Sequence, residues 1–165
     1  MMTKQGSINL EELKKRYNQF REKYNLPEFY ELNKLFDIEE IDVETDFLLR
    51  KIRRVISDRV ADYLKFIEII LNPINGPIFF LKLISKLNND DKKILSEINE
   101  FLGKFEIELI MLDLNYYEKK ESDFIKKIFC FFNEEIRAKL LKIVEKLENG
   151  EDIQKKEDNV RSYFG

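Results

Sequence analysis

An all-α fold, an antiparallel bundle of about six helices with three of them long, is what these 165 residues predict, and three observations predict it. Apolar residues recur three and four positions apart over long stretches, and nowhere do apolar and polar residues alternate for long enough to make a strand. Glycine and proline, five and three in number, fall in few places, so little interrupts the helical spacing. Hydrophobic residues make up 44% of the chain and include 14 Phe, enough apolar area for a core at about 25 cal/mol per Å² buried. Length and composition fit one bundle domain over residues 1–150, with 151–165 a flexible, charged and aperiodic tail.

The elements follow from that spacing in order. Leu10, Leu13, Tyr17, Phe20 and Tyr24 mark a first helix, with Asn9 and Glu12 as its capping pair. Pro27 suits the first turn of a shorter second helix presenting Phe29, Leu32, Leu35 and Phe36. Asp37 to Asp46 carries six acids and no base, and reads as a linker. Thr45 then caps a long helix to about Leu71, striped by Leu49, Ile52, Ile56, Val60, Tyr63, Ile67 and Ile70. The run Asn72 to Pro77 is the strongest turn in the chain, and a short apolar helix from Ile78 to about Leu87 follows it. Asn89-Asp90 caps the next long helix, whose inward face is Ile94, Ile98, Phe101, Phe105, Leu109 and Leu112. Gly103 lies inside it at a cost of about 1 kcal/mol against Ala, tolerated on a solvated face. The periodicity breaks over Glu118 to Asp123. Ser122 or Asp123 caps the last long helix, striped by Ile125, Ile128, Phe132, Ile136, Leu140, Ile143 and Leu147 and stopped by Asn149-Gly150.

Missing residue types exclude much chemistry. With no His, a nucleophile relay has no imidazole to take and return its proton, and zinc or haem loses its usual nitrogen ligand. One Cys cannot build a thiolate metal site or an intramolecular disulfide. No Ca²⁺ loop, Walker loop or dinucleotide glycine pattern occurs. Carboxylates fall beside one another, as at Glu106/Glu108 and Glu134/Glu135, or on outer faces, as for Glu97/Glu100 and Glu108/Asp113, so no inward acid pair is expected. No catalytic residue, metal or cofactor is therefore expected, and the chain reads as a non-enzyme. Met1 to Leu13 has no apolar core of a signal peptide, and no apolar run spans a bilayer. The expected compartment is the cytoplasm, with no membrane contact.

Three features remain as candidate contacts. Arg50, Lys51, Arg53, Arg54 and Arg59 put five cations in ten residues, a candidate nucleic-acid face, although the acidic linker before it and the in-helix acids Asp46 and Asp58 offer ion-pair partners. Ile78, Phe79, Phe80 and Leu81 form a helix that is apolar nearly all round, which either plugs the end of the bundle or meets a partner. Cys130, within the apolar run Ile128 to Phe132, reads as an incidental thiol.

Two resemblances add to this. The end of the chain, Glu157-Asp158-Asn159-Val160-Arg161-Ser162-Tyr163-Phe164, resembles the clamp-binding (PIP-type) tails of replication and repair proteins. There an aliphatic residue and two aromatics, here Val160, Tyr163 and Phe164, plug a pocket on a sliding clamp; Glu157 stands where Gln is usual. Leu26-Pro27-Glu28-Phe29, Glu31-Leu32-Asn33 and Leu48-Leu49-Arg50-Lys51-Ile52-Arg53-Arg54, running on to Leu71-Asn72-Pro73, resemble a set of small, uncharacterised archaeal all-helical proteins, which implies a helical fold and no particular activity. The function expected is a helical protein–protein interaction or assembly module, through a protein partner or self-association. The alternative is a nucleic-acid accessory factor using the Arg50–Arg59 face and tethered to a clamp by its tail. A carboxylate enzyme binding Mg²⁺ comes third.

Overall fold

The computed structural model describes residues 4–42, 46–75 and 77–148. Among these every regular element is helical and no strand occurs, as the spacing predicts. There are six α-helices: α1 (Lys4–Tyr24), α2 (Phe29–Phe36), α3 (Leu48–Leu71), α4 (Ile78–Ile84), α5 (Asn89–Leu114) and α6 (Glu118–Phe131). The last continues through a π turn, Phe132–Ile136, into helix over residues 137–148, so that it, α3 and α5 are the three long ones.

Two compact units organise the chain. One comprises the described residues of Met1–Asp62 and Lys104–Phe132. Its core joins Leu13 and Tyr17 of α1, Leu32 and Phe36 of α2, Leu49, Ile52 and Ile56 of α3, Phe105 of α5, and Phe124 and Ile128 of α6. Edge-to-face ring pairs knit it, with centroids 5.5 Å apart for Tyr17–Phe29, 5.4 Å for Phe36–Phe132 and 5.7 Å for Phe105–Phe124. The other comprises Tyr63–Gly103 and the described residues from Asn133 onward. It buries Ile67 and Ile70 of α3, Ile84 and Leu87, Leu95, Ile98 and Leu102 of α5, and Ile136, Leu140, Ile143 and Leu147.

Helix ends depart from the sequence expectation for identifiable reasons. α1 is already helical at Lys4, so Asn9 lies within it rather than capping it. α2 starts at Phe29 because Glu28 is extended (φ −60°, ψ 141°) and the Pro27 carbonyl accepts the Tyr17 hydroxyl at 2.8 Å instead of opening a helix. The acidic segment is more than a linker. Asp37 takes the left-handed conformation (φ 53°), a 3-10 turn spans Ile38–Glu40, and Ile38 and Ile41 are buried. The Asn33 side chain pins this turn, accepting from the Glu39 N–H at 2.8 Å. Thr45, expected to cap α3, lies outside the described residues.

The cap of α5 is shifted by one. Asn88 Oδ1 accepts from the Asp91 N–H at 2.9 Å, and Asp91 Oδ2 from the Asn88 N–H at 3.1 Å, a reciprocal capping box that displaces the expected Asn89-Asp90. Asp91 is buried in this role and also accepts Lys146 at 2.5 Å. The inward face of α5 is rotated accordingly: Leu95 and Leu102 are in the core, whereas Phe101 is exposed and Ile94 and Leu109 are half-buried. α6 starts at Glu118, four residues before Ser122, whose buried hydroxyl donates to the Lys119 carbonyl at 2.7 Å inside the first turn.

The π turn has a geometric reason. Ile128, Phe132, Ile136 and Leu140 repeat every four residues, and each such step overshoots an α-helical turn by about 40°. The wider π turn takes back part of that rotation, and all four side chains stay buried.

At Gly103 an added Cβ meets no heavy atom within 4 Å, in keeping with a solvated face. Gly103→Ala should therefore raise stability by up to about 1 kcal/mol, read as a higher Tm or denaturant midpoint with an unchanged m-value.

Candidate functional site

The basic run on α3 is the first place where the structure adds to the sequence. Arg53 lies in the register of the apolar stripe, four residues after Leu49 and three before Ile56, so the helix carries its guanidinium inward. There Arg53 Nε donates to Glu121 Oε2 at 2.7 Å and Nη2 to Asp113 Oδ1 at 2.6 Å. Glu121 of α6 is fully buried and also faces Arg50 Nε at 3.5 Å. Arg50 donates to the Leu112 carbonyl at 3.0 Å and its guanidinium lies 4.9 Å from the Tyr116 ring centre. Arg54 reaches Asp113 at 3.8 Å, and Arg59 pairs with Asp37. The acidic segment thus supplies one of the expected partners, Asp37, while the others are Glu121 and Asp113 rather than Asp46 and Asp58. Glu121 sits three residues before Phe124 and four before Ile125 and shares their buried face, a single inward carboxylate paired with arginine rather than with a second buried acid. The Arg53 side chain holds the Asp113 carboxyl below its ordinary value of 3.8, chiefly through their hydrogen bond.

Of the five candidate phosphate contacts, Lys51, Arg54 and Arg59 face solvent, Arg50 is half-buried and Arg53 is buried. The exposed three line a cleft of about 590 Å³ floored by Phe36, Ile41 and Val55. Five carboxylates, Asp37, Glu40, Asp42, Asp58 and Asp62, share that lining, so the acids outnumber the bases. The cleft lining has neither a cysteine nor a hydroxyl nucleophile. Among the described residues no group of three or more Cys, Asp or Glu is placed to hold a metal ion.

The apolar candidate fares differently. α4 begins directly after Pro77 with no side-chain cap and ends where the Ser85 N–H bonds to the Leu81 carbonyl at 3.2 Å. Ile84 is its one buried residue. Ile78 is 79% exposed, Phe79 and Leu81 are also exposed, and Ile74 in the preceding 3-10 turn stands clear at 93%; Phe80 is half-buried, its ring 5.9 Å from that of Phe79. The plug at the end of the bundle is therefore not what α4 forms; it anchors through its last turn and presents its first. Cys130 is exposed on α6. Val160, Tyr163 and Phe164 lie outside the described residues. No helix among the described residues is long and apolar enough to cross a membrane.

Two outcomes test the buried pair. Arg53→Met leaves Glu121 buried without its main cation and should cost about 3–5 kcal/mol in urea unfolding, while Arg53→Met with Glu121→Leu should recover most of that loss. The pH dependence has a defined sign. Asp91 and Asp113 titrate below 3.8 in the folded chain, held down by Lys146 and Arg53, so unfolding takes up protons in acid. Their contribution is complete above the ordinary carboxylate range and lost as pH falls below about 4, and Arg53→Met should flatten that acid limb of the stability profile. Compared with protein-family models, with curated proteins and with solved structures, the chain has no significant match.

Proposed function

We propose that the protein is a non-enzymatic helical module of the cytoplasm that acts by docking a protein partner through the exposed first turn of α4. The observation that carries this reading is the exposure of Ile74, Ile78, Phe79 and Leu81, large apolar side chains within eight residues of one another, with only the last turn of α4 anchored in the core. Exposed apolar clusters of this kind carry an unfavourable hydration free energy that a partner removes. The cations of the α3 face, by contrast, pair with Glu121, Asp113 and Asp37, and the open ones stand among acids, which supports the interaction reading over the nucleic-acid one. The resemblance to small archaeal all-helical proteins brings no activity that competes with it.

Phe79→Glu tests it. Because the ring is exposed, the variant should keep its helix content and lie within about 0.5 kcal/mol of the parent in stability. A partner recovered by affinity capture with the parent chain should be lost with the variant. A partner retained equally by both chains, or a parent that captures nothing and is strictly monomeric in light scattering, sinks the proposal.

A further inference from the structure

A second apolar face lies on α5, well away in sequence from α4. Up to Lys104 the outward side of that helix is polar, with Lys93, Ser96, Glu97 and Glu100 all exposed. Beyond it the same side turns apolar: Ile107, Ile110, Met111 and Leu114 follow the i, i+3, i+4, i+7 pattern and are 60 to 79% exposed. Tyr117, just past the helix end, is exposed as well. The opposite side of the same segment is already seated in the core through Phe105 and Leu112, so the stripe is surplus to what this unit needs to fold.

We infer that this stripe is a self-association face, on which a second copy of the chain lays its own α5 antiparallel. Area is the first argument. The four helical side chains present roughly 500 Å², in the upper part of the range for the largest apolar patch on an ordinary monomer. A standard interface buries about 800 Å² per partner, a little over half of it apolar, so the stripe with a polar rim amounts to one complete interface. Charge is the second. The last turn of α5 holds no basic residue, and of its carbonyls that of Leu112 takes Arg50 on the inner side. In an antiparallel pair centred between Ile110 and Met111, Ile107 meets Leu114 of the other copy, and Lys104 falls beside the other copy's helix end, where a cation is favourable. The helix dipoles then oppose. Glu108 and Asp113, which flank the stripe, are already matched by Lys127 at 2.7 Å and Arg53 at 2.6 Å, so closure brings no bare acids together. Glu106, about 100° round the helix from Ile107, stays at the wet rim. The inference shares with the preceding proposal the premise that exposed apolar faces are contact faces, but rests on a different helix.

Sedimentation equilibrium at concentrations up to about 100 μM separates the two proposals. The parent chain should dimerise. Ile110→Glu should weaken that dimer at least about 30-fold with unchanged circular dichroism, and Phe79→Glu should leave it intact. A parent that stays monomeric, or a dimer that Phe79→Glu breaks and Ile110→Glu spares, overturns the inference. Orientation is read in a Cys130→Ser background under mild oxidation: chains carrying Ile107→Cys should crosslink to chains carrying Leu114→Cys, and neither should crosslink to itself. Self-crosslinking of either alone overturns the antiparallel arrangement.

Discussion

Arg53 brings a full positive charge into the interior of the larger apolar cluster, and α3, α5 and α6 must meet its guanidinium. A bare buried cation costs several kcal/mol, so a carboxylate has to arrive with it, and Glu121 does so from the first turn of α6. Asp113, near the end of α5, takes the remaining N–H edge. Directional bonds from one planar group to two helices fix the rotation of both about their axes, something apolar packing alone does loosely. Arg50 and the Tyr116 ring close over the same place, and Phe47 stacks edge-on against Tyr116 at 4.8 Å. The start of α3, the end of α5 and the start of α6 are thereby held at one polar knot.

Much of this was legible in the residues. The stripes of α3 and α6 emerge at the expected positions, Leu49 to Val60 and Ile125 to Leu147, because a long run of branched apolar residues at helical spacing has no other face on which to bury. α5 was legible as a helix but not in phase. It is apolar on two sides, so periodicity offers two faces, and the choice between Phe101 and Leu102 is made by tertiary contacts. Ends were the least readable. Asn88 against Asn89, or Glu118 against Ser122, differ by interactions such as the Asp91–Lys146 pair and the buried Glu121 that no local pattern contains. A signal for the ion cluster did exist: Arg53 and Glu121 both occupy apolar-stripe positions, and two opposite charges in core register are a pair waiting to meet.

Composition and structure converge on the same economy. A chain without His and with one Cys lacks imidazole proton transfer and a multi-thiolate metal site, and a number of its acids and bases pair with each other, as in Lys127–Glu108, Lys119–Asp123 and Lys23–Glu118. What the fold leaves uncommitted is apolar surface. It is gathered in the first turn of α4 and the last turns of α5 rather than scattered, and gathering is what distinguishes a contact face from the stray exposed hydrophobes that any small domain carries.

The exposed thiol of Cys130 has a practical consequence. Because it is the one cysteine in the sequence and faces solvent on α6, a maleimide dye attaches at a single defined atom of every unmodified chain. Dye-to-protein absorbance in any purified assembly then counts copies directly. A spin label at the same atom yields inter-copy distances for whatever complex the chain enters, with no engineered residue and no disturbance of the core.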